Sequence, residues 1–186
     1  QPRDEDGRGE VRHLPIAEAT AMAIADGSQA DIDRLVAADA YVDFMAGITS
    51  TADLAHPANS GFVPWEFQFD FQDCTHDAEL PAGWEFVCEV SMSTAWTREL
   101  GITPGDAGIM LKLEDGVVTG VRWTGEQDFA LRIVEPFKAY VREQSNDDFA
   151  TLFVESDDER TERERAARIA LEERYIDEYI AAESGS

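Results

Sequence analysis

Ile109-Met110-Leu111-Lys112-Leu113-Glu114-Asp115-Gly116-Val117-Val118-Thr119-Gly120-Val121-Arg122-Trp123 reads as two strands joined at a tight turn. Asp-Gly between apolar runs marks a hairpin, because the favoured turns need φ > 0, which Gly adopts freely and Asp tolerates. Strand alternation then assigns the faces. Ile109, Leu111, Leu113, Val121 and Trp123 point one way, and Met110, Lys112, Glu114 and Arg122 the other.

Working backwards, two longer alternations precede the hairpin. Trp65, Phe67, Phe69 and Phe71 alternate with Glu66, Gln68, Asp70 and Gln72, and the run from Trp84 to Trp96 repeats the pattern. Together they describe an antiparallel sheet with one aromatic face and one polar face. On the polar face Glu66, Asp70, Glu85 and Glu89 can pair across strands with Lys112 and Arg122. Alternation also bears on the two cysteines. Cys88 shares a face with Trp84, Phe86 and Val90, whereas Cys74 falls with Glu66, Gln68, Asp70 and Gln72. Without a bulge the sulfurs face opposite sides, so free, partly buried thiols are expected rather than a disulfide.

Before the sheet, a polar arm at 1–12 leads into a helix from Leu14 to Ala25, with Pro15 in its first turn. A second short helix carries Ile32, Leu35 and Val36, capped by Ser28 or Asp31. Tyr41 to Phe44 reads as a short strand. Residues 46–64 have no period apart from a short helix near Thr51 to Ala55, and a loop of that length suits a lid or rim. Beyond the hairpin, Phe129 to Gln144 reads as helical with a kink or restart at Pro136. Ser156-Asp157-Asp158-Glu159 reads as a capping box that opens a long helix to about Ala182. Its apolar stripe is Ile169, Ile176 and Ile180, flanked by Leu171, Tyr175 and Tyr179, and must pack on the domain or on another subunit. Pairs Glu159–Arg163 and Glu164–Arg168 lace its surface.

The 186 residues carry 39 acids against 15 bases, a formal net charge of -24. Such a surface repels phosphate, so neither nucleic acid nor anionic lipid is an expected partner. There is no apolar run of membrane-spanning length and no visible signal peptide, which makes the cytoplasm the expected location. The chain starts at Gln1 rather than Met, so export of a longer precursor stays open. No Gly-rich phosphate loop, nucleophile elbow or metal cluster is visible, and no cofactor is expected.

Two stretches carry a family resemblance. Ala25-Asp26-Gly27-Ser28-Gln29-Ala30-Asp31-Ile32-Asp33-Arg34-Leu35, followed by Val36-Ala37-Ala38-Asp39-Ala40-Tyr41-Val42-Asp43-Phe44, resembles the passage from helix to first strand in the SnoaL-like, nuclear-transport-factor-2-like superfamily. Leu111 to Trp123 is similar to that superfamily's last hairpin. The resemblance covers about residues 14–128. It implies an α+β fold in which a curved antiparallel sheet wraps around an N-terminal helix to make a cone with an apolar pocket, here with a C-terminal helical extension. The expected layout is a disordered arm at 1–12, the cone domain at 13–128 and the extension at 129–186. The superfamily includes ketosteroid isomerases and scytalone dehydratase, often forms homodimers through the convex face, and ranges from isomerase, dehydratase, cyclase and epoxide hydrolase activity to binding without chemistry. Fold alone does not choose among these.

Residue by residue, isomerase chemistry does not fit. Aligned on the helix-to-strand passage, the base position falls on Phe44, the donor carboxyl position on Ile109 and the tyrosine position on Thr20. Asp43 is adjacent to the base position but points to the opposite face. Two readings remain. The first is a module that binds a small apolar molecule in the cone or serves assembly, with Tyr41, Trp65, Phe67, Phe86, Trp96 and Trp123 as candidate ligand contacts and a homodimer as the expected state. The second is a small-molecule lyase, hydrolase or isomerase using Asp43, His56 and Asp128, with His76 as a further acid–base candidate. Each has a plainer explanation: the aromatics as core, the histidines as solvated loop residues, and Asp128 as the cap of the following helix.

Overall fold

The computed structural model describes residues 8–45, 48–55, 65–81, 83–125, 129–154 and 160–185. Helix α1 (Arg8–Ala25) begins earlier than the sequence suggests and takes in the last residues of the expected arm. Pro15 therefore lies inside the helix rather than in its first turn, where its missing N–H leaves a gap in the hydrogen-bond ladder. The face that meets the sheet is small: Ala17, Ala21 and Thr20 are fully buried with Ile24. Thr20 satisfies its hydroxyl on the Ile16 carbonyl at 2.8 Å. Helix α2 (Gln29–Leu35) buries Ile32 and runs directly into strand β1 (Val36–Asp43), which is longer than the strand expected at Tyr41 to Phe44. A single 3-10 turn, Thr51–Asp53, stands where a short helix is expected.

The sheet is completed by β2 (Gln68–His76), β3 (Phe86–Ser93), β4 (Gly105–Glu114) and β5 (Val117–Thr124), in the spatial order β1-β5-β4-β3-β2. β2 to β5 form the expected antiparallel meander. β1 adds itself parallel to β5, so the sheet is mixed and the fold is α+β. The β4–β5 turn carries Asp115 at φ 52° and Gly116 at φ 81°, the left-handed pair that a two-residue hairpin turn requires. Ile109, Leu111, Leu113, Val121 and Trp123 are all buried, as alternation around that turn dictates.

Three expectations about the sheet are corrected. Cys74 and Cys88 form a disulfide. The register between β2 and β3 shifts between Phe71 and Asp73, so Gln72 is the extra residue of a bulge. Phe69 and Phe71 face inward before the bulge; Cys74 faces inward after it, directly opposite Cys88. The phase change that strict alternation forbids is supplied by one inserted residue. Trp96, expected at the end of a strand, instead lies in the short helix α3 (Ala95–Glu99), which Thr94 caps reciprocally with Thr97. The cross-strand pairs also differ. Lys112 binds Glu114, two residues along its own strand, at 2.8 Å, and Arg122 meets Asp43 at 3.3 Å because β5 pairs with β1.

After the sheet, a π-helical turn at Ala130–Val134 passes into α4 (Glu135–Gln144), with Pro136 at its start. Ser145 then caps α5 (Asn146–Phe153) by accepting from the Asp148 N–H at 3.2 Å. The last helix, α6 (Glu162–Ser184), opens on a capping box made by Thr161 and Glu164. The box expected at Ser156 to Glu159 lies outside the described residues, and Glu164 serves the cap rather than a pair with Arg168. The buried stripe of α6 runs through Glu172, Tyr175, Ile176 and Tyr179 and packs on the domain itself. Among the described residues no helix is long and apolar enough to cross a membrane.

Candidate functional site

Among the described residues, aromatic side chains pack closely on the inner face of the sheet. Trp65 meets Trp96 edge-on at 5.6 Å and Phe137 of α4 at 5.8 Å. Tyr179 of α6 closes on Trp96 at 5.8 Å and on Phe137 at 5.7 Å. Phe67 stacks between Trp65 and Phe69, and Phe69 stands edge-on to Trp123. The C-terminal extension therefore lies across the open end of the sheet and packs its aromatics among those of the cone. Edge-to-face rings of this kind hold beyond their area burial alone.

One polar group enters this aromatic layer. Glu172, 4% exposed, accepts a hydrogen bond from Trp65 Nε1 at 2.6 Å, and its second oxygen lies 3.8 Å from Arg168, itself nearly buried. A carboxylate is costly in such surroundings unless it is paired and hydrogen-bonded, and here it is both. Sequence reasoning missed Glu172. Its signal was positional: it sits between Ile169 and Ile176 on the apolar stripe, where a charge breaks the pattern. Among the described residues, the buried indole N–H groups of Trp96 and Trp123 meet no acceptor.

The second feature is an open cleft of about 280 Å³ at the ends of β1 and β5, lined by Asp43, Phe44, Met45, Arg122, Trp123, Thr124 and Gly125. Asp43 and Arg122 are register partners, each about half exposed, and the Tyr41 hydroxyl approaches Asp43 Oδ2 at 3.4 Å. Phe44 and Trp123 are buried beneath them, edge-on at 4.9 Å. Arg122 was expected only as a cross-strand partner of the acids on β2 and β3.

Of the acid–base candidates, only Asp43 and His76 lie among the described residues. Asp43 lines the cleft, while His56 and Asp128 lie outside the described residues. His76 ends β2, edge-on to Phe86, at the opposite margin of the sheet from Asp43. At the usual spacing between strands that is roughly 19 Å, too far for a dyad. Of the ligand candidates, Trp65, Phe86 and Trp96 are core, Phe67 is partly buried against it and Trp123 sits between core and cleft. Tyr41 is 57% exposed on the outer side of β1, edge-on to Trp84, and does not face the cone interior. Strand parity explains it: Tyr41 shares a face with Asp43, whereas Val42 and Phe44 turn inward.

No family model and no curated protein matches the chain. Solved structures to which it is similar include a protein of unknown function with a cystatin-like fold from Xanthomonas campestris, at 15% identity, covering 63% of this chain and 92% of that one with a TM-score of 0.45. A protein assigned as a ketosteroid isomerase from Kribbella flavida is 15% identical, covering 61% and 77% with a TM-score of 0.44. One assigned as a SnoaL-like polyketide cyclase from Jannaschia sp. CCS1 is 13% identical, covering 66% and 89% with a TM-score of 0.41.

Proposed function

We propose that this protein is a binding module for a small apolar molecule, without chemistry, whose cone is kept shut by its own C-terminal extension. The observation that carries the reading is the contact between Glu172 on α6 and Trp65 in the cone. A side chain of the extension holds the place in the aromatic layer that a bound molecule would need. Binding then requires α6 to withdraw, and the apparent affinity is the intrinsic affinity reduced by the fraction of open molecules. Trp96 and Trp123 support the same reading, since their unpaired indole N–H groups suit an apolar molecule bearing an acceptor oxygen.

Catalysis in the cone has less support. The isomerase positions hold Phe44, Ile109 and Thr20, and all three are buried. The disulfide adds a location to the proposal. Joined cysteines persist in oxidising compartments and are rare in the cytosol, so the protein belongs outside the cytoplasm. Native mass spectrometry of the purified protein tests the function. A co-purified apolar molecule on the wild type, or on Glu172→Ala after incubation with one, supports the reading; an empty cone in both contradicts it. The same spectra count subunits and so check the proposed homodimer.

A further inference from the structure

We propose that the cleft between β1 and β5 is a second binding site, for a small neutral molecule that presents an N–H donor and a C=O acceptor on one edge, such as a primary amide or lactam on a ring. The site stands apart from the cone interior and does not depend on the reading of it.

Three observations point to that chemistry. The first is the pair itself. Asp43 uses Oδ2 for both the Tyr41 hydroxyl and the Arg122 Nε, which leaves Oδ1 as an acceptor. Arg122 approaches Asp43 through Nε, and among the described residues its terminal amino groups carry no hydrogen bond. An acceptor and a fork of donors therefore stand side by side, and a single amide edge matches both.

The second observation is charge. A free anion meets the field of a protein with a formal net charge of -24, and Asp43 already neutralises Arg122 locally. A cation that approaches Asp43 must also approach Arg122. A neutral molecule avoids both costs.

Size and lining supply the third. About 280 Å³ sits near the lower end of small-molecule sites and fits a single substituted ring. Phe44, Met45 and Trp123, all buried, form the floor of the cleft beneath a mostly polar lining.

The test uses benzamide, benzoate and benzamidine, three probes of one shape and three charges, titrated into the full chain and followed by the indole and backbone amide resonances of Trp123 and Arg122. The expected result is saturable shifts with benzamide, with benzoate and benzamidine at least tenfold weaker. Arg122→Ala and Asp43→Ala should each weaken benzamide by more than fivefold. Both side chains are about half exposed, so the variants keep the fold, which the rest of the spectrum verifies. Absence of saturation with benzamide, equal binding of either charged probe, or an unchanged affinity in Arg122→Ala would overturn the proposal.

Discussion

Trp65 Nε1 donates to Glu172 Oε1 at 2.6 Å, joining residues 107 apart in sequence through a buried contact. The bond ties the C-terminal extension to the aromatic floor of the cone. Glu172→Ala removes the acceptor of the Trp65 indole and a carboxylate 3.8 Å from Arg168, at a largely buried site. A loss of about 3 kcal/mol in unfolding free energy is expected from urea denaturation, in the range found when one partner of a buried pair is removed. Glu172→Gln keeps an acceptor for Trp65 and should lose less.

The hairpin turn gives a prediction of conformational origin. Gly116 sits at φ 81°, and an added Cβ would meet only Ile16 Cδ1, at an ordinary 3.7 Å. Space is available, so Gly116→Ala reports the cost of the left-handed backbone alone. About 1–2 kcal/mol is expected in chemical denaturation. Asp115→Asn should be close to neutral, since Asn tolerates the same region.

The disulfide should be complete and stabilising. Thiol titration of the denatured, unreduced protein should find no free cysteine. The bridge spans 14 residues, and a loop of that length corresponds to about 3 kcal/mol of stability. Replacing both cysteines with serine, or unfolding in reductant, should show that loss. Two free thiols in protein taken from its native compartment would contradict the proposed location.

Alkaline pH should loosen the extension. Burial, and then the hydrogen bond to Asp148 at 2.6 Å, raise the Tyr175 phenol above its ordinary value. A folded-state value above the unfolded one means that the contribution is fully present below about pH 10 and is lost as pH rises through the folded value. Burial raises Tyr179 as well, so phenolate absorbance should show two late-titrating tyrosines, and Tyr175→Phe should remove one of them. A tyrosine titrating at the unperturbed value would count against the Asp148 contact.

Much of this fold was legible because alternation and turn chemistry are local. Asp115-Gly116, the aromatic run from Phe67 to Phe71 and the stripe of α6 each report their own face. Gln72 was not legible. A bulge is one residue with no compositional mark, yet it inverted the reading of Cys74. Glu172 was visible as a charge on an apolar stripe, but its partner lies 107 residues away and no periodicity reaches that far. Trp96 was read as a strand residue because apolar alternation continued through it, whereas the Thr94–Thr97 cap turns the chain into a helix. At the cleft, Asp43 and Trp123 were among the residues the sequence singled out, while His56 and Asp128 lie outside the described residues. Arg122 depends on which strand neighbours β5, a matter of topology that pattern alone leaves open.

The most direct test of the shut cone is a titration of wild type and Glu172→Ala with Nile red, a neutral apolar fluorophore, under conditions where circular dichroism shows both folded. If the Trp65–Glu172 contact holds the cone shut, weakening the closed state by about 1.4 kcal/mol should tighten apparent binding about tenfold. The expected result is weak binding to the wild type and saturable binding at least tenfold tighter to Glu172→Ala. Equal affinity for the two proteins, or no binding to either, would contradict the account.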